Sequence, residues 1–482
     1  MRRGVFGFLV LLFIAPYFFA ALVAKFHFRL PQNFVELLQR SFLQSAFSAG
    51  LAIVLGVIGA AGLLRRSVKW EALAIAPAAV PSIAIVLGFM TFLPGLQGWL
   101  AIAFAHACVS SGLVAVVLAR IIRTSLGGSL ELAWTEGALR RDIWLRGVLP
   151  AIREDIVRLA LTIFAASLTS FSIPLLLGGS KTASLEIAIL QAIRLDNAWD
   201  IAAALSLFQM LLLLMLVFVL ARNEAERVRH FESEIRVEIG RVLGNDLAFA
   251  LLFFAPALIL TSLLRSPAAG FLQIQTAGLF DRTEIIFQAL GGSLLTATLS
   301  GAFTAFILLG FAFVYPNDRQ RRFISAYLAP SVAITGFSTL AIGWRANPTF
   351  LLDVLRISIG SAMLFAPILW RLRFEQRLAR LEGQIRVSET LGAPFTMTFL
   401  KVLLPQLQET LFWSAGLVSF WSWGDYAVGS ISASSPMTLA LIAKGLLESY
   451  RIEAASVLIL VCLLLGASSY RLFLFGGARV AR

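Results

Sequence analysis

The chain carries two polar stretches between long apolar runs: ELAWTEGALRRDIWLRGVLP (Glu131–Pro150) and RVSETLGAPFTMTFLKVLLP (Arg386–Pro405). In each stretch a glycine stands thirteen residues before the proline of a Leu-Pro pair. The two glycines, Gly137 and Gly392, are 255 positions apart, and so are the two prolines. Because glycine permits a tight reversal that a side chain obstructs, each stretch is interpreted as two short helices around a turn. The same polar loop is therefore predicted twice.

The sequence around these loops is typical of a helical membrane protein. It has 482 residues, of which 59% are hydrophobic and only 14% charged, whereas a soluble domain carries about 25% charged residues. The apolar residues fall in blocks of about 20, the length that crosses a bilayer core, and the alternating strands of about 10 residues that a barrel needs are absent. An all-α fold with twelve spans is predicted, near Val5–Ala24, Ser41–Leu64, Ala72–Leu93, Trp99–Ala119, Val157–Leu177, Ile201–Ala221, Leu247–Leu264, Gly291–Tyr315, Phe323–Trp344, Phe350–Trp370, Leu411–Ser430 and Ala454–Phe475.

The net charge of +13 follows the predicted topology. If Arg2 and Arg3 lie inside and the chain changes side at each span, the inner segments hold 27 lysines and arginines and the outer segments hold 10. This bias places both termini and both polar loops in the cytoplasm. The basic charge is therefore attributed to topology, and no nucleic-acid partner is expected. The first apolar run is longer than a signal peptide requires, so an uncleaved first span is expected.

Weaker repeats extend the similarity beyond the loops. SFLQSAFSAG at Ser41 resembles SLLTATLSGA at Ser293, and SLEIAILQAI at Ser184 resembles TLALIAKGLL at Thr438, at offsets of 252 and 254. The prediction is two homologous six-span halves in parallel orientation. The first half is residues 1–221 with its loop at 120–155, and the second is residues 247–482 with its loop at 371–408. Residues 222–246 form a charged cytoplasmic link.

The loops lack the groups of a reaction centre. They contain no nucleophile–base pair, metal-ligand set or phosphate cradle, and the segment GGSKT at Gly178–Thr182 does not have the spacing of a nucleotide-binding P-loop. Apolar and basic residues on a small projecting helix favour a binding surface for a soluble partner. Neither catalysis nor a metal or cofactor is expected on this chain.

The first loop has the pattern E-x-A-x3-G-x11-L-P, which resembles the signature E-A-A-x3-G-x9-I-x-L-P of ABC-importer permeases. The matching residues are Glu131, Ala133, Gly137, Leu149 and Pro150. The second loop keeps Gly392, Leu404 and Pro405, but has Arg386 in place of the leading acid and Glu389 displaced by one turn. The resemblance implies a fused permease with the type I importer fold, in a bacterial inner membrane. It also implies that each loop docks on an ATPase subunit, two copies in all, and that a periplasmic binding protein delivers the solute.

Several phrases resemble the thiamine-transporter branch of that family, among them Leu168–Ile193 and Ser422–Ser430. Aromatic rings attract cations such as thiazolium, and an acid inside a span is a candidate site. The candidate path residues are Ser170, Phe171, Ser172, Trp421, Trp423, Asp425 and Tyr426. A packing or capping role for Asp425 remains open, as does ferric iron or another small solute as the substrate.

A few other residues receive structural predictions. Asp353 and Arg356 are spaced to pair on one helix face, and His106 is expected to be a packed or hydrogen-bonded contact. Cys108 and Cys462 lie within predicted spans, where small buried side chains are expected. A different class, an ion-coupled secondary transporter or a scaffold, is less favoured because few charges lie within the spans.

Overall fold

The computed structural model describes residues 2–67, 69–179, 184–222, 243–265, 267–276, 283–314, 331–340, 342 and 349–480, and within these ranges the chain is helical, without a strand. Its α-helices are α1 (Arg2–Val23), α2 (Phe34–Leu64), α3 (Lys69–Ala79), α4 (Ser82–Phe92), α5 (Trp99–Ile121), α6 (Gly127–Thr135), α7 (Arg140–Asp142), α8 (Leu149–Ala151), α9 (Arg153–Leu168), α10 (Ser172–Leu177), α11 (Leu185–Arg194), α12 (Trp199–Arg222), α13 (Asp246–Leu252), α14 (Phe254–Leu264), α15 (Pro267–Thr276), α16 (Thr283–Val314), α17 (Val332–Thr339), α18 (Phe350–Leu369), α19 (Glu375–Thr390), α20 (Phe395–Thr398), α21 (Leu404–Gly424), α22 (Ala427–Ser432), α23 (Leu439–Glu448) and α24 (Ile452–Val480). Four π-helical turns join some of them, namely π1 (Ile122–Leu126), π2 (Ile143–Val148), π3 (Trp370–Phe374) and π4 (Phe399–Leu403).

Seven helical stretches in the described part of the chain are long and apolar enough to cross a bilayer. They are Gly4–Val23, Phe34–Leu64, Trp99–Ile121, Trp199–Leu216, Glu284–Val314, Phe350–Thr390 and Ile452–Gly477. Two helix pairs also qualify when taken together but are bent, α3 with α4 by 84° and α13 with α14 by 43°. Pro81 lies at the first bend, where a proline cannot supply the donor that continues a helix. The predicted class, an all-α polytopic membrane protein, is confirmed.

Nine of the twelve predicted spans coincide with these helices and bent pairs. In the fifth, Val157–Leu177, α9 carries charged residues in its first turn and ends at Leu168, before the short α10. In the eleventh, Leu411–Ser430, helix α21 ends at Gly424 and a new helix starts after Asp425. The ninth, Phe323–Trp344, lies largely outside the described residues. The number twelve therefore stays a prediction.

The chain packs as two compact units that alternate along the sequence. Unit 1 contains Met1–Gln32, Glu186–Val217 and Ala268–Arg482, and unit 2 contains Asn33–Leu185 and Phe218–Pro267. These are units of packing, whereas the predicted halves are defined by sequence repetition, so the division does not test the halves. Most of the predicted link, residues 223–242, lies outside the described residues.

Unit 2 is built around α2 and α5, with α3, α9 and α13 packed on them. Small residues allow the close approach, since a Cβ added to Gly62 of α2 would clash with the backbone nitrogen of Phe249 in α13. Such contacts are typical of helix association in membranes. Its apolar core extends from α2 and α5 into the first polar loop, where it includes Leu130, Ile143 and Val148.

Unit 1 is built around α16, α18, α21 and α24. A large apolar cluster of this unit extends into the second polar loop, with Trp370 and Phe374 of π3 and Leu378 of α19 fully buried. Leu9 and Phe13 of α1 belong to the same cluster. Each polar loop therefore contributes side chains to the apolar core of a different unit.

Each unit contains its own copy of one local hydrogen bond, and the two copies join positions that correspond in the weaker sequence repeats. In unit 2 the backbone N–H of Leu185, at the start of α11, donates to the hydroxyl of Ser41 in α2 at 3.2 Å. In unit 1 the N–H of Leu439, at the start of α23, donates to the hydroxyl of Ser293 in α16 at 2.9 Å. Each bond satisfies a first-turn donor that the helix itself leaves open.

Candidate functional site

The two polar loops contain the same glycine turn. Helix α6 ends where the N–H of Ala138 donates to the carbonyl of Ala133, at 3.0 Å, and Gly137 has a φ of +83°. Helix α19 ends where the N–H of Ala393 donates to the carbonyl of Ser388, at 3.1 Å, and Gly392 has a φ of +77°. This bonding pattern with a left-handed glycine is the Schellman ending of a helix. The glycines predicted to form the reversals do form them.

The chain restarts in the same way after each turn. One extended residue, Leu139 in the first loop and Pro394 in the second, precedes the short helices α7 and α20. The π-helical turns π2 and π4 follow, and the Leu-Pro pairs then open α8 and α21. Proline is accommodated there because first-turn N–H groups have no partner within the helix.

Both loops present apolar side chains to their surroundings. Leu132 and its counterpart Val387, 255 positions later, are 63% and 59% exposed, and Leu145 and its counterpart Leu400 are 51% and 58% exposed. A basic residue follows the second pair in each loop, Arg146 or Lys401, and both are exposed. These exposed apolar side chains, called here the apolar ridge of each loop, are close in sequence to a positive charge and are suited to bind a partner groove.

The predicted docking residues are distributed between this surface and the loop interior. Gly137, Pro150, Glu389, Gly392 and Pro405 are exposed, whereas Glu131, Ala133, Leu149 and Leu404 are half-buried. Ala133 contacts the apolar core of unit 2. The signature residues therefore shape the loop, and the exposed ridge consists largely of residues outside the signature, which sequence matching did not single out.

The first loop is anchored through buried charges. Glu71 of α3 is only 2% exposed and accepts bonds from Arg123 Nη1 of π1, at 2.6 Å, and from Arg120 Nε, at 2.8 Å. Arg123 also donates to the carbonyls of Leu63, in the last turn of α2, and of Arg66, just after that helix. This network ties the base of the loop to α2 and α3. Glu71 and Arg123 were not predicted as functional residues because, in the sequence, they look like ordinary loop charges.

The candidate path residues lie in both units. Ser170, Phe171 and Ser172 span the break between α9 and α10 in unit 2, where Phe171 is buried and the two serines are half-buried. Trp421, Trp423, Asp425 and Tyr426 lie at the end of α21 in unit 1. Within each unit these short segments form helix breaks, which expose backbone groups for other contacts.

Two of the aromatic residues near Asp425 in the sequence have contacts elsewhere in unit 1. Trp423 donates its ring N–H to the hydroxyl of Ser469 at 2.9 Å, and the Trp421 ring packs on Phe365 with centroids 5.0 Å apart. Asp425 Oδ1 accepts from the N–H of Ala427 at 2.9 Å, at the start of α22. Its Oδ2 lies 3.5 Å from the hydroxyl of Ser361. These contacts support the interpretation of Asp425 as a helix-capping residue.

The remaining sequence predictions have clear structural counterparts. Arg356 Nη1 contacts Asp353 Oδ1 at 3.0 Å with both side chains buried, which confirms the predicted ion pair. Arg356 also donates to the carbonyl of Ile342, at 2.9 Å, so its role is structural. His106 is buried within α5, as expected. Both cysteines are buried and unpaired.

A buried acid was not singled out from the sequence. Glu186 of α11 is completely buried and accepts from Gln209 Nε2 at 2.8 Å, from the Ser331 hydroxyl at 3.0 Å and from the N–H of Ala333 at 3.1 Å. Burial raises the pKa of its carboxyl to about 7, although these hydrogen bonds lower it. The only sequence signal was one acid inside the apolar run LEIAIL.

The fold and the two loops together define a polytopic helical membrane protein in which one local loop structure, with exposed apolar side chains, occurs twice. Comparison of the chain with protein-family models, curated proteins and solved structures finds no match.

Proposed function

We propose that this chain is the membrane permease of an ABC importer. The observation that carries the proposal is the pair of loops, each with a left-handed glycine, a Schellman ending, a π-helical turn and an exposed apolar ridge at positions 255 apart. Two equivalent projections suit two copies of one soluble subunit. This agrees with the resemblance of Glu131–Pro150 to the permease signature.

The proposal assigns ATP hydrolysis to a separate cytoplasmic ATPase. The loops offer apolar side chains such as Leu132 and Leu400 for burial, and burial of apolar area is the main favourable term in most protein association. In this role the Schellman glycines set the angle between the two short helices of each loop. The chain itself then acts as the translocation path and performs no chemistry.

The finer architecture belongs to the same proposal. Two six-span halves, both with cytoplasmic termini, place both loops on the ATPase side of a bacterial inner membrane. A binding protein on the periplasmic side delivers the solute. The matching bonds Ser41–Leu185 and Ser293–Leu439 support the duplication, because they join corresponding positions of the two predicted halves.

We propose thiamine as the transported solute. The support is the resemblance of Leu168–Ile193 and Ser422–Ser430 to the thiamine branch, together with Asp425 near the end of α21. The acid is half-buried, and no cationic partner of its carboxylate is found among the described residues. A positively charged solute is compatible with such a group.

The test is reconstitution with partner subunits. The tagged chain is expressed in its host, and ATP hydrolysis that copurifies with it is measured; we expect activity that Leu132→Asp combined with Leu400→Asp removes, since both changes place a charge on the apolar ridge. Exposed Thr396→Asp serves as a charge control in the second loop. Copurified hydrolysis that the double variant leaves intact argues against docking through these loops.

Substrate identity needs a separate measurement. Uptake of radiolabelled thiamine is followed in a thiamine-requiring strain that lacks its own transporter, complemented with this chain and its partners. Uptake that depends on ATP supports the assignment. Failure of thiamine uptake together with rescue of an iron-requiring strain overturns the substrate and leaves the permease proposal standing.

A further inference from the structure

After the predicted charged link the described chain resumes at Leu243, and the residues at this point touch the first loop. Arg140, the first residue of α7, donates from Nη2 to the carbonyl oxygens of Gly244 and Leu243, at 2.8 Å and 3.1 Å. Two carbonyls on one guanidinium nitrogen fix the spacing between the loop and the incoming chain. Hydrogen bonds from a charged donor are stronger than neutral ones.

The side chain of Leu243 adds an apolar contact to this polar one. It is 1% exposed and belongs to the core cluster of unit 2 that contains Leu130, Ile143 and Val148 of the first loop. The Leu243 side chain is thus part of the apolar core that joins the first loop to the helices of unit 2. Removing a buried leucine side chain leaves a cavity that neighbours fill only in part.

Residues 243–246 are also held from the side of α2. The N–H of Asn245 donates to the carbonyl of Ala61 at 3.1 Å. Asp246 contacts Arg65 at 2.8 Å and Arg66 at 3.0 Å. The segment Leu243–Asp246, named here the re-entry segment, therefore joins the first loop to the end of α2.

The second loop is built differently at the matching position. The counterpart of Arg140, 255 positions later, is Phe395, whose ring packs on Phe313 and Phe399 with centroids 5.2 Å and 6.2 Å away. The rings of Phe313 and Phe399 also meet edge to face, with centroids 5.1 Å apart. Within the described residues, the second loop is thus held by aromatic contacts, whereas the first is held by a charged clamp on a distant part of the chain.

We infer that the re-entry segment positions the first loop through Arg140 and Leu243, so that the connection between the halves sets the orientation of one docking surface and not the other. Arg140 and Leu243 are positioning residues in this inference. Its consequence for docking rests on the proposed function, but the physical linkage does not. A substitution in the re-entry segment is then expected to alter the first loop and to leave the second loop unchanged.

The linkage is tested by amide hydrogen exchange on the full chain in lipid nanodiscs, without any partner. Arg140→Ala and, separately, Leu243→Ala should speed exchange in residues 138–148 by about tenfold, because the first removes the charged contact of α7 and the second removes the buried apolar side chain beside it. Exchange in residues 393–403 should not change. Arg141→Ala, which removes the same charge one residue later, is the matched control and should resemble the parent chain.

A double variant separates a shared contact from general loosening. If both residues act through one segment, Arg140→Ala with Leu243→Ala should speed exchange by less than the product of the single effects. Asp246→Asn, which weakens the hold on α2 from outside the loop, should raise exchange at residues 138–148 in the same direction. Arg140→Lys gives a milder second variant in case Leu243→Ala does not fold.

The outcomes distinguish this inference from the permease proposal. Equal exchange in the Arg140→Ala, Arg141→Ala and parent chains overturns the positioning role, whatever the partner is. Faster exchange at residues 138–148 in the Arg140→Ala, Leu243→Ala and Asp246→Asn variants, but not in Arg141→Ala, supports it, even if no ATPase copurifies. Where hydrolysis does copurify, its loss in Arg140→Ala but not in Arg141→Ala extends the role to docking.

Discussion

Single glycines decide the shape of both polar loops. At Gly137 and Gly392 the backbone adopts positive φ, a region that β-branched side chains enter only with strain. Space is not the constraint, because a Cβ at either position would meet no atom within 4 Å. The cost of substitution is therefore conformational and local to the turn.

This argument predicts the effect of valine at the two turns. Gly137→Val and Gly392→Val should each cost on the order of 1–2 kcal/mol at the turn and abolish transport while the protein still reaches the membrane. The measurement is uptake per amount of membrane-inserted protein. Gly128→Val and Gly383→Val are matched controls, since both glycines are exposed, helical and have open space around them. Normal uptake in both turn variants would contradict the docking role of the loops.

The protonation of the Glu186 carboxyl makes the stability of the fold depend on pH. Its carboxyl has a pKa raised by burial to about 7, so the folded state holds the proton more tightly than the unfolded chain. The associated stability is complete below about pH 4.5 and is lost as pH rises through about 7. A shift of this size corresponds to about 3 kcal/mol. Tyr17, whose hydroxyl lies beside the N–H of Ser331, is the other titratable group at this site.

The prediction is that Glu186→Gln reduces the loss of stability between pH 5 and pH 8. A glutamine can still accept from Ser331 and Ala333, and its amide can donate to Gln209 Oε1, which has no hydrogen-bond partner among the described residues. The measurement is the thermal unfolding midpoint in detergent at both pH values. Glu36→Gln, at an exposed position, should keep the parental pH dependence. An unchanged pH dependence in Glu186→Gln would contradict the assigned protonation.

Elements were predicted well where one physical signal dominated. The long apolar runs gave α2, α5 and α16 because a bilayer-length hydrophobic block is unambiguous. The fifth and eleventh predicted spans were harder to predict, since the breaks at Thr169–Phe171 and at Asp425 depend on tertiary contacts that hydropathy does not carry. The glycine turns were found by spacing, whereas the clamp of Arg140 on Leu243 and Gly244 joins residues about 100 positions apart and leaves no local pattern.

The break after α21 permits a test of the two roles of Asp425. Asparagine keeps the side-chain oxygen that caps α22 but removes the charge, whereas alanine removes both. Asp425→Asn should keep the parental unfolding midpoint, and Asp425→Ala should lower stability by about 1 kcal/mol. If the acid also lines the path, Asp425→Asn slows thiamine uptake despite normal stability. Normal uptake in Asp425→Asn assigns this residue to capping alone.

At the scale of the whole molecule, charge and apolar pattern together imply an orientation. The 27-to-10 distribution of basic residues predicts that the polar loops lie inside. The two buried cysteines, Cys108 and Cys462, can be replaced by alanine to give a background for labelling. Exposed positions are available on both predicted sides, Ser129 and Thr396 inside and Asp196 and Arg451 outside.

Single cysteines at these four positions should react in two classes with a membrane-impermeant maleimide added to intact spheroplasts. Asp196→Cys and Arg451→Cys should label at once, because both lie in segments that follow an odd number of predicted spans. Ser129→Cys and Thr396→Cys should label only after the membrane is opened, because the positive-inside bias keeps the loops in the cytoplasm. Since the two inner positions belong to different predicted halves, the experiment also tests whether the halves share one orientation. Labelling of only one of them from outside would contradict a parallel repeat, and labelling of both would invert the whole topology and leave the loops unable to reach a cytoplasmic ATPase.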